Sequence, residues 1–335
     1  MMGASRPADK PDRAPPSSRP VLVVAGPTAS GKSGLAVALA ERFGGAVINA
    51  DSLQVYRELE ILTARPGPVL ARRAPHHLYG VLGVGERCSV ARWRDMAMAE
   101  IAALQGAGTL AIVTGGTGMY LDALLKGIAP VPEIPQGIRD RARSLVDEIG
   151  APALHQRLAA RDPIVAARIS SNDRQRLARA WEVLEATGRS LADFQQTVSA
   201  PGIAAIAIQL MPPREDLYAA ADARFAAMMA QGALEEARGI RGLGLGPDLP
   251  AMKALGLKEL IAHLDGEMSL DRAVTLAQQA TRNYAKRQLT WFRHRSPALV
   301  GDRGLVINEQ YSERLNAKIF SFICQFLLTD SPPKV

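Results

Sequence analysis

Residues 26–33 read Gly-Pro-Thr-Ala-Ser-Gly-Lys-Ser, directly after the apolar run 21–25 and directly before the helix-forming run 35–41. This is the pattern G-x-x-x-x-G-K-[ST] between a buried strand and a helix, which is the setting it needs. Gly26 and Gly31 permit a loop whose backbone N–H groups converge on an anion. The following helix start contributes partial positive charge, Lys32 contributes a full one, and the Ser33 hydroxyl is placed to ligate Mg²⁺. Gly26, Pro27, Thr28, Ala29, Ser30, Gly31, Lys32 and Ser33 are therefore the predicted cradle for a di- or triphosphate. A Gly-rich turn that binds nothing would not require the strand, the Lys-Ser pair and the helix together.

The spacing downstream extends this into an open α/β architecture. Strands are predicted over 21–25, 46–50, 110–114 and 203–210, and helices over 34–43, 90–105 and 119–125. Continuous apolar strands alternating with helices imply a P-loop NTPase-like doubly wound parallel sheet, whose ligands sit at the carboxyl ends of the strands. The cradle, Asp51-Ser52 and Gly115 to Gly118 should then share one rim. Residues 130–200 carry helical, Arg-rich sequence with no strand signal, after the turn-rich stretch 127–137, and read as a helical insertion domain. The predicted organisation is a disordered tail over 1–19, a core domain over 20–129 and 201–300, the insertion over 130–200, and a weakly patterned C-terminal tail over 301–335. Within that tail the apolar run 319–328 reads as a helix packed on the body.

Bulk properties narrow the function classes. The chain has 335 residues, 47% of them apolar, and a formal net charge of +7. The length supports one large or two modest cores, and the basic excess fits either a polyanionic partner or a compositional bias toward Arg. Cys88 and Cys324 are the only cysteines and lie far apart, so neither a disulfide framework nor a Cys-based zinc site is expected. His76 and His77 lack further ligands at metal spacing and read as structural. No apolar run reaches the length of a membrane span and 1–20 lacks a signal-peptide core, which fits a cytoplasmic protein.

Two further constellations bear on chemistry. Asp51, at the exit of the second strand, is placed to bind Mg²⁺ through water or to act as a general base; an Asp-Ser pair is also a good cap. The stretches 172–181 and 281–295 are basic and helical. The second holds five Lys or Arg and no acid, with Arg282, Lys286 and Arg293 to one side and Ala285, Leu289 and Phe292 on the adjoining one. Two basic helices with interleaved Trp and Tyr suggest a phosphate-backbone track, although each alone is equally a solvated face.

In order along the chain, Gly-Pro-Thr-Ala-Ser-Gly-Lys-Ser (26–33), Asp-Ser-Leu-Gln-Val-Tyr (51–56), Thr-Ala-Arg-Pro (63–66), Pro-His-His-Leu (75–78), Gly-Gly-Thr-Gly-Met-Tyr (115–120), Asn-Asp-Arg-Gln-Arg-Leu-Ala-Arg-Ala (172–180), Ala-Arg-Phe (223–225), Ala-Leu-Gly-Leu-Lys-Glu-Leu (254–260) and Ala-Lys-Arg-Gln-Leu-Thr-Trp-Phe-Arg (285–293) resemble the tRNA dimethylallyltransferase family. The resemblance spans 21–295. It implies a Mg²⁺-dependent transfer of a dimethylallyl group from dimethylallyl diphosphate to N6 of adenosine 37, beside the anticodon. It implies Asp51 as general base, with Lys32 and Arg224 neutralising the departing diphosphate. It implies tRNA contacts from Asp51, Ser52, Leu53, Gln54, Thr117, Arg139, Gln175, Arg176, Leu177, Ala178 and Arg179, to which the basic stretch adds Arg282 and Lys286. The adenosine is expected to flip into a channel between sheet domain and insertion. The partners expected are the tRNA anticodon stem-loop and the prenyl donor, with a monomeric enzyme and no membrane. Arg65, Leu257 and Asn283 depart from the family pattern, which commonly has Lys, Tyr, and Arg or Gln there. A small-molecule kinase, an adenine-nucleotide isopentenyltransferase and a non-catalytic RNA-binding ATPase are the competing readings.

Overall fold

The computed structural model describes residues 20–198 and 202–329. The tail expected over 1–19 lies outside the described residues, as do 199–201 and 330–335. Six strands form one sheet: β1 Val21–Ala25, β2 Gly45–Asn49, β3 His76–His77, β4 Leu110–Gly115, β5 Ala205–Leu210 and β6 Gly304–Ile307. Their order is β3-β2-β4-β1-β5-β6, and every adjacent pair is parallel. Because all strands point the same way, the loops leaving β1, β2 and β4 emerge on one rim. Ala25 is in register with Gly115, and Asn49 with Thr114.

The central strand explains the sheet's stability. All five residues of β1 are fully buried, with Val21, Val23 and Ala25 in the core on one face and Leu22 and Val24 in the core on the other. A strand covered on both faces needs apolar residues at every position, which is why it reads as an unbroken run. On one face the sheet is packed by helix Lys32–Phe43 and helix Asn316–Thr329; on the other lie Trp93 of helix Val90–Gly106 and Phe292 of the 31-residue helix Leu270–Val300.

The C-terminal segment is more than a tail. Gly304–Ile307 joins the sheet as its edge strand β6, beside β5, and Ile319 and Ile323 of the following helix are fully buried against helix Lys32–Phe43. The chain divides into two compact units, one of residues up to Leu125 and from Gly202 onward, the other Lys126–Pro201. The second unit is helical, with its own core of Leu154, Leu158, Leu177 and Ala180 between helices Gln136–Ile149, Ala151–Arg161 and Arg174–Thr187.

Candidate active site

The glycine pattern of the phosphate loop is enforced by close backbone approach. Gly26 has φ 150°, and a Cβ there would lie 2.5 Å from the Leu210 carbonyl of β5. Gly31 adopts φ 88° as the residue preceding helix Lys32–Phe43, and a Cβ there would lie 2.8 Å from Tyr311 Cβ. Ala29 takes a left-handed φ of 64° without being glycine, which costs about 1–2 kcal/mol and needs external support. Lys32 Nζ donates to the Pro27 carbonyl at 2.6 Å, closing the loop on itself. Thr28 is held from two sides: its N–H donates to Gln288 Oε1 at 2.8 Å, and its hydroxyl oxygen accepts from Arg224 Nη2 at 2.5 Å.

The exit of β2 is equally fixed. Asn49 is fully buried; its side chain donates to the Asp51 carbonyl and to the Leu78 carbonyl, each at 3.0 Å, and accepts from the Asp51 N–H at 2.8 Å. Asp51 Oδ1 accepts from the Leu53 N–H at 2.9 Å. The capping role is therefore realised, using one carboxylate oxygen. Thr117 Oγ1 accepts from the Ser52 N–H at 3.0 Å, tying this turn to the glycine run after β4.

That glycine run makes room for the protein itself. A Cβ at Gly115 would meet the Ala50 carbonyl at 2.1 Å, at Gly116 the Gln288 amide nitrogen at 2.3 Å, and at Gly118 the Trp291 ring at 2.5 Å. Gln288 is buried; it donates to the Gly116 carbonyl at 2.8 Å while accepting from Thr28. One side chain from the long helix thus joins the loops leaving β1 and β4.

These groups surround one cavity of about 340 Å³, whose lining includes Thr28, Lys32, Ser33, Asp51, Arg224 and Gln288. Measured over the whole residue Lys32 is half-buried, but its ammonium end is enclosed by protein. Burial pulls its pKa from 10.5 down to about 7, with Arg224 adding to the fall and Asp51 opposing it. Burial likewise lowers Arg224, again opposed by Asp51. The phenols of Tyr79 and Tyr284 are held above their ordinary value, first by burial and then by the Asp51 charge. Two cations and one anion thus sense one another in an enclosed space built for net negative charge.

The other predicted residues separate into distinct settings. Gln54 donates to the Thr63 and Ala64 carbonyls at 2.8 and 3.1 Å, so it anchors the loop that lines the cavity. Leu53 packs against the main core. On the long helix Arg282 pairs with Asp222 at 2.6 Å, while Lys286 is exposed. In the helical unit Arg139 is half-buried, Gln175, Arg176 and Arg179 are exposed, Ala178 is half-buried, and Leu177 is fully buried in that unit's core. Arg179 Nη1 donates to Glu182 at 2.5 Å, and Arg176 pairs with Asp173 at 3.5 Å. Leu257, where the family pattern has Tyr, is fully buried, and Arg65 donates to the Arg57 carbonyl and Glu60, each at 3.0 Å. His76 and His77 bond the Ala74 carbonyl and Glu100, each at 2.8 Å. Among the described residues no three His, Cys, Asp or Glu side chains cluster as a metal site, and no helix is long and apolar enough to cross a membrane. Sequence reasoning missed Asn49, Gln288 and Gln310. Gln288 lies inside a stretch singled out for its charges, and its neutrality hid it.

The IPP transferase family model matches residues 54–295, and an isopentenyl transferase model matches 19–70. The chain belongs to the IPP transferase family. It is 55% identical over 315 residues to the tRNA dimethylallyltransferase of Paramagnetospirillum magneticum, covering 93% of this chain and 98% of that one. Its fold is similar to the full-length tRNA isopentenylpyrophosphate transferase of Bacillus halodurans, with a TM-score of 0.68 and 31% identity over 93% of this chain and 98% of that one. A eukaryotic dimethylallyltransferase captured acting on tRNA matches with a TM-score of 0.81 and 25% identity, over 95% of this chain and 81% of that one. The family membership assigns the doubly wound sheet and its phosphate loop to a tRNA-modifying prenyltransferase.

Proposed function

We infer that the protein transfers a dimethylallyl group from dimethylallyl diphosphate to N6 of adenosine 37 in tRNA. The observation that carries the chemistry is the single cavity that brings Lys32, Arg224 and the loop amides together with Asp51. The donor's diphosphate sits in the loop, where the amides, Lys32 and Arg224 accept the charge that grows as the C1–O bond breaks. The electron pair leaves with diphosphate. The lone pair of N6 closes on C1, and the N6 proton passes to the Asp51 carboxylate. An exocyclic adenine amine is conjugated and weakly nucleophilic, so both the base and the ionised leaving group are needed. Asp51 Oδ1 accepts from the Leu53 N–H, which fixes the carboxylate at the cavity wall where it takes the proton.

The residues present fit a magnesium ion: the Ser33 hydroxyl on the cavity wall is an oxygen donor, the ligand class that a hard cation prefers, and the diphosphate oxygens would supply further ligands. Bound there, the ion would neutralise diphosphate charge. The tRNA is engaged through its anticodon stem-loop by Thr117, the 51–54 turn, and Lys286 and Arg282 of the long helix, with the target base flipped out of its stack; in the helical unit the RNA contacts are Arg139 and the exposed Gln175, Arg176 and Arg179, which the buried Leu177 holds in place. A monomer working in the cytoplasm, where tRNA is found, accounts for these requirements.

The test is direct. The protein is incubated with dimethylallyl diphosphate, Mg²⁺ and unmodified tRNA, and the digested nucleosides are weighed. Prenylated adenosine among the nucleosides, mapped to position 37 by the masses of RNase fragments, supports the reading; no prenyl group in the RNA, with ADP formed in a parallel incubation with ATP, refutes it.

A further inference from the structure

The phosphate loop is braced by a segment outside the matched family region. After β6 the chain turns over the loop: Gln310 Nε2 donates to the Ala29 carbonyl at 2.9 Å, and the Tyr311 N–H donates to the Ser30 carbonyl at 3.1 Å. Tyr311 also packs on Gly31 and Gly34, where a Cβ would lie 2.8 and 3.2 Å from its side chain. The strap is anchored at both ends. The Met211 N–H donates to the Ile307 carbonyl at 2.7 Å on one side, and the Tyr311 hydroxyl donates to Asn316 at 2.8 Å on the other. Gln310 itself borders the donor cavity.

These two bonds fall on the loop's most demanding stretch. Ala29 is the non-glycine residue with φ 64°, and the two carbonyls engaged are its own and its neighbour's. In a trans peptide the N–H of one residue points opposite to the C=O of the residue before it. Bonding the carbonyls of Ala29 and Ser30 to the strap therefore turns the N–H groups of Ser30 and Gly31 away from the strap. Those amides belong to the nest that must converge on the diphosphate.

We propose that Gln310 is a donor-positioning residue, which fixes the peptide orientation of the phosphate loop so that the amides of Ser30 and Gly31 face the diphosphate. This rests on the reaction proposed above. The carbonyl bond at Ala29 stabilises an otherwise unfavourable backbone, so the loop is organised before the donor arrives and binding carries less ordering cost. Gln310 touches neither the acceptor base nor the RNA track in this assignment, and its effect is confined to the diphosphate half-site.

The experiment measures binding of inorganic pyrophosphate by calorimetry and steady-state kinetics with tRNA for wild type, Gln310→Ala and Gln310→Met, the last preserving length without a donor N–H. The expected result is a ~5–10-fold weaker pyrophosphate Kd and a matching rise in KM for dimethylallyl diphosphate, the scale of one lost hydrogen bond. The KM for tRNA should stay at the wild-type value, and the thermal midpoint should fall only by the small amount that one lost hydrogen bond costs. Unchanged pyrophosphate Kd in both variants overturns the proposal, as does a parallel rise in both KM values with a lowered midpoint. Should wild-type protein bind pyrophosphate yet leave tRNA unprenylated, the reaction reading fails while the binding data still judge Gln310.

Discussion

Lys32 makes donor binding proton-linked. Its ammonium is enclosed, and burial lowers its pKa to about 7. A diphosphate placed against it restores the charged form, so the complex holds Lys32 protonated well above neutrality. At pH 8 the free protein carries the Lys32 proton in ~10% of molecules, and binding must draw up ~0.9 proton; at pH 6 the uptake falls to ~0.1. Apparent affinity for the donor should therefore drop ~10-fold between pH 6 and pH 8 through this group. The measurement is calorimetry of dimethylallyl diphosphate binding without tRNA, in two buffers of different ionisation heat. At pH 8 the ester is fully ionised, so any uptake belongs to the protein. Lys32→Arg, whose guanidinium stays charged, should abolish the uptake. An uptake near zero for wild type at pH 8, or the same uptake in the Arg variant, refutes the reasoning. The same shift acts on the unliganded fold: between pH 7 and 10.5 the unfolded chain holds a proton that the folded one has lost, so stability from this group rises with pH across that window.

Asp51→Asn keeps the cap to Leu53 but removes the base, so single-turnover prenyl transfer should slow by ~10²–10⁴-fold while tRNA binding persists; a loss confined to tRNA affinity would remove Asp51 from the chemistry. Gln288→Ala leaves the Thr28 N–H and the Gly116 carbonyl without their partner, at a cost of ~1–3 kcal/mol, visible as a lowered thermal midpoint together with weaker pyrophosphate binding; a wild-type midpoint counts against the bridging role. Arg179→Ala and Lys286→Ala should each reduce the salt slope of tRNA binding by ~1 unit, as for one lost phosphate contact, whereas an unaltered slope takes that residue off the backbone track.

The main strands were legible because burial on both faces demands apolar residues throughout. Val21–Ala25 contains no polar position to obscure it, and the helix expected over 34–43 is present, starting two residues earlier at Lys32. The two edge strands were not legible for the converse reason. His76–His77 is a polar dipeptide whose only strand property is its pairing with Val47 and Ile48. Gly304–Ile307 is four residues long and only partly buried, so its periodicity is too short to separate from a loop. Its pairing with β5 comes from tertiary contact, and with it comes the strap over the phosphate loop that the notion of a C-terminal tail left out.

The site divides along the same line between local and distant causes. Gly26 to Ser33 and Asp51-Ser52 are local motifs, written in consecutive residues by the turns they must make. The residues that hold them come from far along the chain: Gln288 is 260 positions from Thr28, and Gln310 is 281 from Ala29. No spacing rule reaches that distance. The long helix shows what a reading of charge alone leaves out. Its basic residues were conspicuous, yet Arg282 is matched by Asp222, while the buried stripe of Ala277, Thr281, Ala285, Gln288 and Phe292 gives the helix its place in the fold. A glutamine in a buried stripe is costly unless both ends of its amide are bonded. Here they are bonded to the loops of β1 and β4, so a helix whose outer face exposes Lys286 has an inner face that sets the geometry of the phosphate loop.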